Sequence, residues 1–219
     1  MHSRSVSGPI IVGIAGISAS GKTRTAHAIA DILNASAPTG LPCTLVVSHD
    51  NFYRSLTPDE DGRTHNWDSP DAYAAKEFID KVTQWKQGKS NWIPRHDFGT
   101  YKQIEKARYI EIIPTIKVII IEGIHVLDDQ YVDLYDIRLF VSCDCDIALM
   151  RRITRDMSER GYDLETILFR YKEYVRPALV KWIKPSQKNA HLIIPNNGDD
   201  IDTRTKIEYA CLMIECLTN

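Results

Sequence analysis

Residues Gly16-Ile17-Ser18-Ala19-Ser20-Gly21-Lys22-Thr23 follow the spacing G-x-x-x-x-G-K-[ST] without a mismatch. Each fixed position has a chemical reason. Gly16 and Gly21 let the backbone curl so that successive N–H groups can face phosphate oxygens. Lys22 brings a mobile positive charge for β- and γ-phosphates, and Thr23 brings a hydroxyl for Mg²⁺. The pattern predicts a nucleoside triphosphate site, sharpened by the dipole of the helix that should follow.

Two carboxylates and a run of guanidiniums stand where such a site could use them. Asp50 follows the apolar run Cys43–Val47, and Glu122 closes the apolar run Lys117–Ile121. Ligands gather at the carboxyl ends of strands in open α/β sheets, so both acids are expected beside the phosphate loop. Asp50 also suits a turn cap, and Glu122 also suits a solvated strand end. Arg151, Arg152 and Arg155 lie on one predicted helix that ends at Arg160-Gly161. They read as a lid neutralising a transferred phosphoryl group, or as a solvated face paired with Asp156 and Glu159.

The elements needed to hold these residues can be read from periodicity. Ile10–Ala15, Cys43–Val47, Lys117–Ile121, Ile137–Val141 and Leu192–Ile194 are short apolar runs, as in strands covered on both faces. Lys22–Asn34 is a helix with Ala26, Ile29, Ala30 and Leu33 on one face. Ala35–Pro42 is a loop, and Leu56–Trp67 is a polar surface loop without period. Ser69-Pro70-Asp71 predicts the start of a helix that buries Phe78, Val82 and Trp85 and stops at Gly88. Trp92-Ile93 and Tyr109–Ile113 predict two short β pieces, kept from the sheet centre by Pro94 and Pro114. Asp146–Glu159, Leu164–Arg176 and Arg204–Leu217 complete the helices, with a break or kink expected at Pro177. The alternation predicts one α/β domain over 1–219: a doubly wound parallel sheet, a small β appendage at about 91–115 over the acceptor site, and an Arg-bearing lid at about 151–170.

Bulk properties narrow the function. The chain has 219 residues and a net charge of −2, which disfavours a surface built for general nucleic-acid binding. It shows no apolar run long enough to span a membrane, and Met1–Gly8 is too short and polar for a signal peptide. Five cysteines without an export signal read as reduced thiols in the cytoplasm. Cys143-x-Cys145 lacks a second ligand cluster and reads as buried thiols at a strand end rather than a metal site.

Taken together these stretches resemble the uridine–cytidine kinase family of P-loop kinases, from about Ile10 to Asn197. The markers are Gly16–Thr23, Asp50-Asn51-Phe52-Tyr53, Trp67-Asp68-Ser69-Pro70-Asp71-Ala72 and Ile93-Pro94-Arg95-His96-Asp97-Phe98. Further markers are Ile121-Glu122-Gly123-Ile124, Arg151–Asp156, Ser158-Glu159-Arg160-Gly161, Tyr174-Val175-Arg176-Pro177 and Ile193-Ile194-Pro195. The resemblance implies ATP- and Mg²⁺-dependent phosphorylation of a pyrimidine ribonucleoside at its 5′-hydroxyl, in a chain that forms a dimer or tetramer. Carried over by position, Asp50 accepts the hydroxyl proton, and Thr23, Glu122 and Asp50 serve the metal. Lys22, Arg155 and Arg160 embrace the phosphates, Asp68 binds the ribose with Arg152 nearby, and Tyr53 lines the nucleoside pocket.

The chain departs from the family pattern at four positions. His96 stands where the family usually has Tyr before Asp-Phe, and Tyr101 where it usually has His. Tyr162 replaces the Arg after Glu-Arg-Gly, and Arg170 replaces a Gln eight residues further on. The first change exchanges two side-chain types, and the second relocates a guanidinium. The expectation is a re-cut nucleoside pocket in which His96 or Tyr101 reads the 4-position of the base, amino in cytosine and carbonyl in uracil. Other acceptors, such as another nucleoside, pantothenate or a sugar phosphate, stay open, as does a non-catalytic nucleotide-binding module.

Overall fold

A computed structural model describes residues 8–38, 40–62, 64–97, 100–198 and 201–218. Met1–Ser7 and Phe98, the last residue of one marker segment, lie outside the described residues. Five strands form a sheet in the order β2-β5-β1-β6-β7, all parallel: β1 Ile10–Gly16, β2 Thr44–Ser48, β5 Val118–Glu122, β6 Ile137–Ser142 and β7 Leu192–Pro195. Every residue of β1 and of β5 is buried, which is why both read as unbroken apolar runs rather than alternating ones.

The pleat sends alternate residues to two separate cores. Ile11, Ala15, Ile119 and Ile121 face one side with α2 (Ala75–Lys86), which contributes Phe78, Val82 and Trp85. Ile10, Val12, Ile14, Val118 and Ile120 face the other, against α1 (Lys22–Ala35) and α5 (Ile201–Thr218). Ile11, Ile14, Ile119, Ile120 and Ile121 are fully buried. Each such side chain contributes about 2 kcal/mol by leaving water. A sheet sealed on both faces leaves one open place for a ligand, the carboxyl edge between β1 and its neighbours.

Four local expectations are corrected. Ser69-Pro70-Asp71 opens a single 3₁₀ turn, Pro70–Ala72, and α2 begins only at Ala75. Tyr73 is extended and bridges Tyr53, while Ala74 N–H donates to the Phe52 carbonyl at 2.8 Å, so tertiary pairing delays the helix. The appendage is a longer antiparallel hairpin than the sequence suggested, β3 Asn91–Asp97 with β4 Lys102–Ile110. Pro94 falls where the register shifts between Ile93 and Arg95, a bulge that needs no donor from it.

Pro177 breaks nothing. The chain leaves α3 (Cys145–Arg160), turns at Gly161, enters α4 (Leu164–Arg170) and stays helical through residues 171–189. Wider π turns at Tyr171–Val175 and Leu179–Ile183 flank the short α segment that holds Pro177. The i→i+5 turns accommodate the missing N–H locally, so the helix continues through Pro177 instead of ending there. Finally, Cys143 is half-buried and Cys145, which opens α3, is exposed, so the pair is not a buried one.

Candidate functional site

The loop after β1 enters α1 through Gly21, whose φ of 94° is left-handed. A Cβ there would run into the side-chain amide of Asn196, which donates instead to the Ser20 carbonyl at 2.8 Å. Ser20 is fully buried, while Ser18, Ala19, Gly21, Lys22 and Thr23 border a cavity of about 360 Å³. That volume suits a small-molecule ligand. Lys22 Nζ donates to the Ile17 carbonyl at 3.0 Å. Burial lowers its pKa, with Glu122 and then Asp50 pulling it back up. Glu122 is its mirror: burial raises the carboxyl and Lys22 opposes the rise. Each charge is thus costly alone and tolerable beside the other.

α3 supplies Arg151, Arg152, Arg155 and Arg160 to the same cavity. All four border the cavity, and three of them are ion-paired, to a buried acid rather than across a solvated face. Asp156 is almost fully buried and pairs with Arg152 at 3.2 Å, Arg155 at 2.8 Å and Arg160 at 3.5 Å. Arg152 Nη1 also donates to Ser18 Oγ at 2.9 Å, and Arg151 Nη1 to the Asn196 carbonyl at 2.9 Å. One buried acid therefore gathers three of the four guanidiniums, and one of those, Arg152, braces the phosphate loop through Ser18.

Opposite the loop lies an end built of carboxylates and rings. β2 runs into a 3₁₀ turn, His49–Phe52, whose first turn carries Asp50. Register places Ser48 beside Glu122, so the two strand tips bring Asp50 and Glu122 to one edge. Tyr73 Oη lies 3.4 Å from Asp50 Oδ1 and 2.8 Å from Tyr53 Oη. Burial pushes both phenols well above their ordinary pKa, so they stay neutral donors. Beneath them His49 stacks flat on Tyr73, ring centroids 4.2 Å apart, and burial holds its pKa well below the usual histidine value.

Asp68 borders the cavity, and burial raises its pKa against the pull of Arg152 and then His125. His125 fixes the main chain there. It is fully buried, with Nε2 2.8 Å from the Asp68 carbonyl oxygen and Nδ1 2.9 Å from Asp128 Oδ2. Neither His125 nor Tyr73 was singled out from sequence. The signal that was available, a histidine in the segment after a strand-end Glu-Gly, gives no reason to expect a contact with residue 68.

The far wall is aromatic. Tyr53 and Tyr101 border it, with Trp67 and Tyr101 rings 5.8 Å apart at 16°. Gly62 makes this packing possible, because a Cβ there would enter the Tyr101 ring. Tyr101 itself adopts φ 55°, an uncommon conformation for an aromatic residue. His96 does not border the cavity. It is buried behind the wall, 4.7 Å from the Trp67 ring and 5.4 Å from the Tyr53 ring. The polar segment read as a surface loop contributes Trp67 and also His65, which sequence reasoning missed. From the segment after α3 come Tyr162 and Arg170, the guanidinium carbon 4.9 Å from the phenol ring centre. Tyr174 Oη ties this side to the loop by donating to the Thr64 carbonyl at 2.7 Å.

A phosphate loop, converging arginines, three acids (Asp50, Asp68 and Glu122) and an aromatic wall share one cavity. Comparison with known proteins agrees with that chemistry. The family model described as "Phosphoribulokinase / Uridine kinase family" matches residues 11–203. Uridine kinase-like protein 5 of Arabidopsis thaliana is 36% identical over 195 residues, covering 88% of this chain and 40% of that relative. Uridine-cytidine kinase 2-B of Danio rerio is 34% identical over 199 residues, covering 88% of this chain and 75% of the relative. The chain thus spans less than half the length of the Arabidopsis relative. Among solved structures, phosphoribulokinase from Rhodobacter spheroides superposes with a TM-score of 0.59 at 17% identity, over 87% of this chain and 71% of that one, a likeness of fold.

Proposed function

Since the chain belongs to the phosphoribulokinase / uridine kinase family, we propose that it transfers the γ-phosphoryl group of ATP to the 5′-hydroxyl of a pyrimidine ribonucleoside, uridine or cytidine. One observation carries the reading: a single cavity has a phosphate-loop cradle with Glu122 at one end and the half-buried carboxylates of Asp50 and Asp68 beside an aromatic wall at the other. A nucleotide-binding module has no need of the second end.

In this reading the nucleotide's phosphates take hydrogen bonds from the loop around Ser18–Thr23 and charge from Lys22, Arg155 and Arg160. Thr23 and Glu122 border the cavity together, hard oxygen donors of the kind Mg²⁺ accepts, with Asp50 alongside. The ion, when bound, supplies charge neutralisation for the β- and γ-oxygens. Asp68 holds the ribose hydroxyls near Arg152. Asp50 aims the 5′-oxygen at phosphorus. As that O–P bond forms and the bond to the ADP oxygen breaks, Asp50 takes the hydroxyl proton and ADP leaves with the bonding electron pair. An ionised aspartate is a weak base, so orientation supplies the larger share of its effect. The five free cysteines support a reducing compartment, the cytoplasm, as the setting.

The test pairs an acceptor panel with one variant. With Mg²⁺ and labelled ATP, uridine or cytidine should be converted to the 5′-monophosphate. Asp50→Asn should lose turnover by about 10³-fold while keeping its affinity for ATP. A variant as fast as the parent removes Asp50 from the assigned role, and a parent without affinity for ATP removes the whole reading.

A further inference from the structure

One side chain of α3 is shared by the two ends of the cavity. The Arg152 guanidinium is buried and held by groups from distant parts of the chain. Its Nε lies 3.2 Å from Asp156 Oδ2 on the same helix, and its Nη1 donates to Ser18 Oγ at 2.9 Å, across 134 residues. The carboxylate contact fixes one point of the fork. The hydroxyl contact fixes its plane, because a guanidinium is rigid once two of its nitrogens are placed. Ile17, Ala148, Val175 and Leu179 close in behind the pair, so the bond is shielded from water on that side.

Ser18 belongs to the phosphate loop and is half-buried at the border of the cavity. Its hydroxyl accepts from Arg152 and keeps its own proton, so it can still donate to an anion in the cavity. A hydroxyl that donates to an anion becomes a better acceptor, and a bound phosphate would therefore tighten its bond to Arg152. Toward the acceptor end Arg152 acts on Asp68. Burial raises that carboxyl's pKa, and Arg152 is the strongest of the charges that draw it back down. Asp68 and Arg152 border the same cavity.

We infer that Ser18, although part of the phosphate loop, is a positioning residue for the acceptor: its hydroxyl sets the Arg152 guanidinium beside Asp68, and so makes nucleoside affinity depend on bound nucleotide. The inference rests on the nucleoside kinase reading above. Coupling of this kind is reciprocal, so bound nucleoside tightens ATP by the same factor. A loop residue that served the nucleotide alone would show no such dependence.

The experiment is calorimetry on the parent, Ser18→Ala and Ser18→Thr. It measures affinity for uridine and cytidine with and without a non-hydrolysable ATP analogue and Mg²⁺, and affinity for the analogue alone. The parent should bind nucleoside at least about fivefold more tightly when the analogue is present. Ser18→Ala should bind nucleoside about tenfold more weakly with the analogue present and lose the dependence on it. Its affinity for the analogue alone should stay within about threefold of the parent, since main-chain N–H groups still hold the phosphates. Ser18→Thr keeps the hydroxyl and should keep the coupling. If Ser18→Ala does not fold, Arg152→Lys, which keeps the charge but not the fork, should lose the coupling in the same way. A Ser18→Ala protein that loses as much affinity for the analogue as for nucleoside overturns the inference. So does a parent whose nucleoside affinity ignores the analogue. A Ser18→Thr protein as impaired as Ser18→Ala assigns the effect to loop packing and overturns it too. Failure of the parent to bind either nucleoside with the analogue present overturns the underlying reading instead.

Discussion

The two ends of the cavity are built by different means. The phosphate end is a contiguous loop whose geometry belongs to its backbone: a left-handed Gly21, an adjoining helix, and braces from Asn196 and Arg152. The acceptor end has no backbone of its own. It is assembled from side chains on the 3₁₀ turn after β2, the segment around Trp67, the hairpin, and the helix after Gly161. An anion needs only N–H groups and positive charge, which any chain can supply from one loop. Telling one base from another needs hydrogen bonds of fixed polarity on a flat face, and those must arrive from several directions. The first end is therefore expected to fail all at once, and the second in graded steps.

Asp156 breaks this contrast most severely, because it serves the phosphate end through side chains. Asp156→Asn leaves Arg152, Arg155 and Arg160 without their buried counter-ion. Removing one partner of a buried ion pair costs about 3–5 kcal/mol of stability. The variant should melt at a clearly lower temperature and, where still folded, lose kcat by about 100-fold or more, with ATP affinity weakened as well. A normal melting temperature together with normal kcat would mean that the arginines hold their places without it.

The contrast also sets what could be read from residue order. The loop, the β1, β2, β5 and β6 runs and the apolar face of α1 are local patterns, and they appear in the fold within a residue or two of their expected bounds. Asp50 and Glu122 were legible because strand ends converge by topology. The acceptor end was legible only in part. Residue types at 96, 101, 162 and 170 marked it as altered, but not which of them would border the cavity. His96 lies behind Tyr53 and Trp67, whereas His65, on a polar segment without periodicity, borders the cavity. Both outcomes depend on contacts between segments, which carry no periodicity. The delayed start of α2 has the same origin, a Tyr53–Tyr73 bridge overriding a good local start signal.

A middle-sized effect should come from His125, which acts on the acceptor end from below. His125→Leu keeps apolar volume but removes the hydrogen bond between Nε2 and the Asp68 carbonyl. The Asp68 side chain stays in place chemically, but its backbone loses a tether. KM for the nucleoside should rise about tenfold, while KM for ATP stays within twofold of the parent, since a lost hydrogen bond to main chain is worth about 1 kcal/mol or somewhat more. A rise in both constants would mean that the two ends are not separable at this point.

The smallest effect is expected at Tyr73, and it bears most directly on the comparison. Its hydroxyl is 2.8 Å from Tyr53 Oη but 3.4 Å from Asp50 Oδ1, so the contact with the carboxylate is the looser of the two. Tyr73→Phe preserves the ring that stacks on His49 at 4.2 Å and the bridge to Tyr53, so the fold and the melting temperature should hold. What disappears is the hydrogen bond to Tyr53 Oη together with a long contact to one oxygen of Asp50, leaving that carboxylate freer to rotate. A long hydrogen bond of this kind is worth less than about 1 kcal/mol, which gives a fall in kcat of about threefold and no change in KM for ATP. Should kcat fall by a hundredfold instead, Asp50 would be held as tightly by its neighbours as the phosphate loop is by its backbone. The acceptor end would then be a rigid constellation that merely lacks a local sequence signature.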